Sequence, residues 1–145
     1  MRTPSKWLAL LAMALIFSGC ATSGPKYVEM VPNMTKLGPD MGRIYIYRAT
    51  VLGAAIQPDV KLNGEVVGSA QPNGFFYADR PSGTYEIMTS TEVDRKLTLT
   101  LDKGEVRFVR LNISMGFFVG HVYPELVEPV AGEKEIENCR YIGKQ

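Results

Sequence analysis

From Gly42 onward apolar and polar positions alternate along most of the chain, the period-two signature of half-buried strands. In Arg43-Ile44-Tyr45-Ile46-Tyr47-Arg48 isoleucine takes one face and tyrosine the other, which predicts a strand covered on both sides. Thr50 to Pro58 carries Gly53 and reads as an irregular link. Asp59 to Leu62 then meets Glu65 to Val67 across Asn63-Gly64. Asn and Gly adopt positive φ cheaply, so a type I′ hairpin is expected. Its register puts Val60, Leu62 and Val67 on one face and Lys61 and Val66 on the other.

Phe75 to Ala78 reads as the next strand, and Pro81-Ser82-Gly83 as a turn in which Pro fixes φ and Gly frees it. That turn delivers Thr84 to Met88, with Tyr85 and Ile87 inward. Lys96 to Leu101 alternates cleanly, three leucines inward, and Asp102-Lys103-Gly104 turns the chain into Glu105 to Ile113. There the phase slips: Val106 and Phe108 share one parity, Val109, Leu111 and Ile113 the other. Either a bulge near Phe108–Arg110 or burial of both faces would reconcile them. Gly116 to Val122 reads as a further strand, and Ala131 to Tyr141 as one short helix around Ile136. Seven or eight short strands without a long amphipathic helix predict an all-β, antiparallel, immunoglobulin-like sandwich over residues 42–145.

The chain before Gly42 follows different rules. Arg2 and Lys6 precede an apolar run from Trp7 to Phe17, followed by Ser18-Gly19-Cys20. The run is too short for a hydrocarbon core that takes roughly 20 apolar residues to span. A basic start, a short apolar centre and small residues before a cut make a secretory signal peptide. Ending on Ser-Gly-Cys, it resembles the lipobox of bacterial lipoproteins, although Phe17 stands where that family prefers Leu, Val or Ile. The resemblance implies that residues 1–19 are removed and that Cys20 is acylated. Two or more acyl chains hold a protein stably where one is marginal. Ala21 rather than Asp after the cysteine implies the outer membrane, facing the periplasm, over the inner one. Residues 20–41, with Pro25, Pro32 and Pro39 and no period, read as a tether with a reach of about 25 Å. Tyr27 to Val31 is the part of it that could dock, as an edge strand.

Composition narrows the function classes. Removing 19 of 145 residues leaves 126, one domain of ordinary size. The mature chain keeps all 15 acidic residues and 14 of the 16 basic ones, with no basic block to suggest nucleic acid. Cys139 would be its one free thiol, either a small buried apolar residue or an intermolecular bridge in an oxidising periplasm. His121 is the single histidine, so Ser–His–Asp or Cys–His catalysis would have to use it, and no nucleophile elbow accompanies it. A structural zinc site needs about four Cys or His ligands, more than the mature chain offers. Nucleotide-binding glycine loops are absent. No catalytic residue, metal or cofactor is assigned.

Val60-Lys61-Leu62-Asn63-Gly64 through Val67-Gly68, then Phe76-Tyr77-Ala78-Asp79-Arg80-Pro81-Ser82-Gly83-Thr84-Tyr85-Glu86-Ile87, resembles the PEGA and carboxypeptidase-regulatory class of small sandwiches. With Ile44 to Arg48 and Phe108-Val109-Arg110 it is more similar to the domain-of-unknown-function family numbered twenty-eight forty-six, mostly predicted lipoproteins. These are turn and core residues, so the resemblance implies a fold and carries no activity. The expectation is a non-catalytic lipoprotein that holds or positions another envelope component; the alternative is a small-ligand or peptidoglycan binder. Tyr45, Tyr47, Phe117 and Phe118 are the candidate partner surface, since strand alternation cannot send every aromatic to one core.

Overall fold

The computed structural model describes residues 22–116 and 120–143. Among these residues nine strands form two sheets: β1 (Met41–Arg48), β2 (Asp59–Leu62), β3 (Glu65–Ser69), β4 (Gly74–Pro81), β5 (Gly83–Ser90), β6 (Asp94–Leu101), β7 (Val106–Ser114), β8 (His121–Val127) and β9 (Arg140–Tyr141). One sheet runs β8-β7-β1-β4-β9 and the other β3-β2-β5-β6. The all-β sandwich is as the alternation predicts, except that the larger sheet is mixed: β1 pairs with β7, and β4 with β9, in parallel. Among the described residues two α-helices accompany the strands, α1 (Tyr27–Met30), continued by a 3-10 turn at Val31–Asn33, and α2 (Pro129–Ile136).

The Asn63-Gly64 hairpin forms as expected, with φ of 49° and 86° at its two turn residues. Val60 and Leu62 are buried while Val66 is half exposed, so the predicted facing holds. The phase slip in β7 is resolved by burial of both faces, and its pairings with β1 and β8 run without a register shift. Val109 and Leu111 enter the core between the sheets with Ile44, Ile46, Phe76, Ile87 and Leu101. Phe108, one residue out of phase, enters a second core on the outer face with Tyr45, Tyr47 and Phe75. β8 continues through Pro124, where the alternation fades; proline is tolerated because β8 is an edge strand.

The second core exists because chain from both ends of the domain covers the outer face. α2 starts two residues before the expected helix, with Pro129 at its first turn, where a missing N–H costs nothing. Gly132 lets it lie on Phe108: a Cβ there would come within 2.4 Å of the ring. The N-terminal segment covers the rest, and here the sequence expectation is corrected. Pro25 to Thr35 is not a free tether, and Tyr27 docks as a helical turn rather than an edge strand. Tyr27 is 8% exposed; its ring meets Tyr45 and Phe75 edge-on at 5.2 and 5.5 Å. The Tyr27 amide donates to the Cys139 carbonyl at 3.0 Å, and that of Tyr141 to the Pro25 carbonyl at 2.9 Å. At the far end of this strap, Arg43 donates to Asp79 at 2.6 and 2.7 Å and to the Thr35 carbonyl at 3.0 Å.

Candidate functional site

The strap changes the standing of the residues singled out in sequence. Tyr45 and Tyr47 are 5% and 0% exposed, so they are no partner surface; they are the floor on which the strap and α2 lie. The Tyr47 hydroxyl donates to Glu135 at 2.7 Å, and burial followed by that bond raises its pKa. Glu135 also accepts from Arg110 at 2.8 Å, which ties α2 to the sheet. Cys139 is buried at 2%, and loss of solvent pushes its thiol up to about 11. An intermolecular bridge would require that core to open, so the structure favours the small-apolar role. Phe117, Phe118 and Cys20 lie outside the described residues. His121 sits with Nδ1 3.1 Å from the Thr91 hydroxyl, at the side of the sandwich away from β3. Among the described residues no group of three or more His, Cys, Asp or Glu could hold a metal ion.

The two sides of the sandwich are unequal. On one, β6 and β8 lean together across the sheets. On the other, β3 and the two-residue β9 are the edges, and a cleft of about 410 Å³ lies between them. Gly68 lays the ring of Phe76 in its floor. Val66 and Val67 line one wall, and Tyr77, Tyr141 and Ile142 the other. The Tyr77 and Tyr141 rings tilt together at 5.8 Å. Burial, then the neighbouring Tyr77, raises the Tyr141 pKa. Asp59, Ser69 and Gln71 supply polar groups at the rim. The size falls in the range of ligand pockets, roughly 300–1,000 Å³. Neither a nucleophile–base pair nor two facing carboxylates occurs among these residues. The arrangement can stack, hydrogen-bond and accept a strand along β3, whose outer edge no strand covers among the described residues. Sequence reasoning missed it because Tyr141 reaches the site only through a two-residue parallel pairing with β4, too short to leave a period.

A second built feature lies at the end of the domain where the strap begins. Arg48 is fully buried and, among the described residues, pairs with no carboxylate. Its guanidinium donates to the carbonyls of Ile56 and Ala70 at 2.7 Å each, and to those of Leu52 and Gly53 at 2.5 and 2.9 Å. Burial lowers its pKa, which at arginine's ordinary value leaves it charged. One cation thus organises the 49–58 loop and joins it to the chain after β3.

A two-sheet sandwich strapped across one outer face, with an aromatic cleft on its open side, defines the chain as a small β-sandwich domain. The model of the family described as "Protein of unknown function (DUF2846)" matches residues 39–122, more than half of the chain, and the chain belongs to that family. It is also 30% identical over 132 residues to a protein of Haemophilus influenzae described as uncharacterized, an alignment covering 88% of this chain and 79% of the relative. No solved structure matches it.

Proposed function

We propose that this is a non-catalytic lipoprotein, held by acylated Cys20 on the periplasmic side of the outer membrane, that receives another envelope component at the β3–β9 side. The observation that carries this reading is the open side itself: an uncovered edge strand, β3, beside an aromatic cleft, on a domain whose larger sheet is strapped across its outer face. A partner strand added to β3 would gain main-chain hydrogen bonds and place alternate side chains against Val66 and in the cleft. Tyr77 and Tyr141 support a second reading, a peptidoglycan or other saccharide ligand stacked in the same cleft. No helix among the described residues is long and apolar enough to cross a membrane, and acylation supplies the attachment in this reading.

Photo-cross-linking from Val66 in the full-length protein in cells tests it. Reproducible capture of one envelope protein, lost on Val67→Asp and absent from a cross-linker at Ser82, supports the partner reading. Capture of murein fragments moves the site to saccharide binding. Equal labelling from both positions contradicts a site at β3. Palmitate labelling that survives Cys20→Ala would overturn the anchor.

A further inference from the structure

The strap fixes more than the second core, because it also fixes where the lipid must be. From Gly24 the chain is pinned to the domain: the Gly24 carbonyl accepts from Arg140 at 3.0 Å, and the Pro25 carbonyl from the Tyr141 amide. Cys20 is two residues from Thr22. Two residues of fully extended chain span about 7 Å, so an acyl group on Cys20 has no long leash. Thr22 lines a cleft of about 630 Å³ together with Val51, Ala54 and Ala55 of the β1–β2 loop, and Pro72 and Asn73 of the β3–β4 turn.

The part of that end built from the β1–β2 loop and the β3–β4 turn has the chemistry of a lipid-facing surface. Residues 49–58 and 70–73 contain no charged side chain. Val51 and Leu52 stand 64% and 58% exposed, and Met115, at the head of the neighbouring β7–β8 loop, 84%. The β5–β6 turn at the same end carries exposed Glu92, Asp94 and Arg95, so the apolar part of this end is the β1–β2 side. A loop that meets hydrocarbon must have its backbone polar groups satisfied from within. Arg48 supplies this, drawing the carbonyls of Leu52, Gly53 and Ile56 inward while Val51 and Leu52 stay outside. At the opposite end the turns carry Asp102, Lys103 and Glu105, with Lys103 paired to Asp40 at 2.8 Å.

We propose that the β1–β2 loop seats on the bilayer that holds Cys20, with Val51 and Leu52 in the boundary between headgroups and acyl chains. This rests on the lipoprotein reading of Cys20. The domain then stands on the membrane by one defined end, and its β3–β9 cleft, which also reaches Tyr141 and Gly143 beside Thr22, opens sideways just above the lipid surface.

The single tryptophan, Trp7, lies in the signal segment, so reporters in the mature protein have no background. Leu52→Trp and, at the opposite end, Ser82→Trp both replace exposed residues. Each full-length lipoprotein is reconstituted in phosphatidylethanolamine–phosphatidylglycerol vesicles with and without brominated lipid. The reporter at 52 should be blue-shifted and quenched about twofold or more by bromolipid, as burial to ~5–10 Å requires; the reporter at 82 should be neither. Intact mass of the same sample separates the two claims. An acylated Cys20 with an unquenched reporter at 52 overturns the seating alone, as does a blue shift without bromolipid quenching, which would mean a protein covers the loop. An unmodified Cys20 overturns both.

Discussion

At the end far from Thr22 the chain reverses in tight turns: Asn63-Gly64, Ser82 between β4 and β5, and Asp102 to Glu105. At the Thr22 end it wanders through the ten residues 49–58 before β2 begins. The far turns are held by their own backbones, through positive φ at Asn63, Gly64 and Gly104, and their charged side chains face water. The near loop has one such signal, positive φ at Gly53, but is too long to close on it and gathers its carbonyls on one buried guanidinium. A turn encoded locally is cheap and tolerates polar decoration. A loop organised from below by Arg48 can present apolar side chains outward, at the cost of depending on a single residue.

That dependence sets the largest expected effect. Arg48→Met leaves up to four carbonyls without a donor and should destabilise by about 3 kcal/mol or more, read as a lower urea midpoint. At the other end Lys103→Met, which breaks the exposed pair with Asp40, should stay within about 0.5 kcal/mol. Equal losses at both ends would break the contrast. Next in size is a pH effect on the strapped core. The Cys139 thiol lies at about 11 in the fold against an ordinary 9. Its contribution is therefore complete below pH 9 and is lost as pH rises through 11, on the order of 3 kcal/mol in all. Tyr27 and Tyr47, held above their usual value mainly by burial, add a dependence of the same sign at higher pH. Alkaline unfolding curves should steepen accordingly, and Cys139→Ala should flatten the portion between pH 9 and 10. Smaller than either of these losses is Gly64→Ala: a side chain there meets open space, so only the left-handed backbone resists it, by about 1 kcal/mol in thermal unfolding.

The sandwich was legible in the sequence wherever period and turn chemistry agreed. β1, the Asn63-Gly64 hairpin and the Leu97-Leu99-Leu101 strand all follow that way. The two-sided burial of β7 was visible as a phase slip, with one of its two explanations correct. What the sequence hid was long-range. Pro25, Pro32 and Pro39 signal only that no long helix forms, and they say nothing of whether Tyr27 finds a sheet face to dock on. For the same reason Tyr45 and Tyr47 looked like surplus aromatics when they are the floor of a second core. Arg48 gave one faint sign, a charge closing an otherwise apolar strand and followed by an uncharged loop.

Residues 25–35 are part of the fold, which shortens the leash to Cys20 and buries Tyr27, Tyr45 and Tyr47. Amide hydrogen exchange on the full-length lipoprotein in detergent tests this directly. The Tyr27 and Tyr141 amides, bonded across the strap to Cys139 and Pro25, should exchange as slowly as those of central β1. Exchange of Tyr27 at the rate of an open chain, with β1 still protected, would restore the flexible tether and contradict the account.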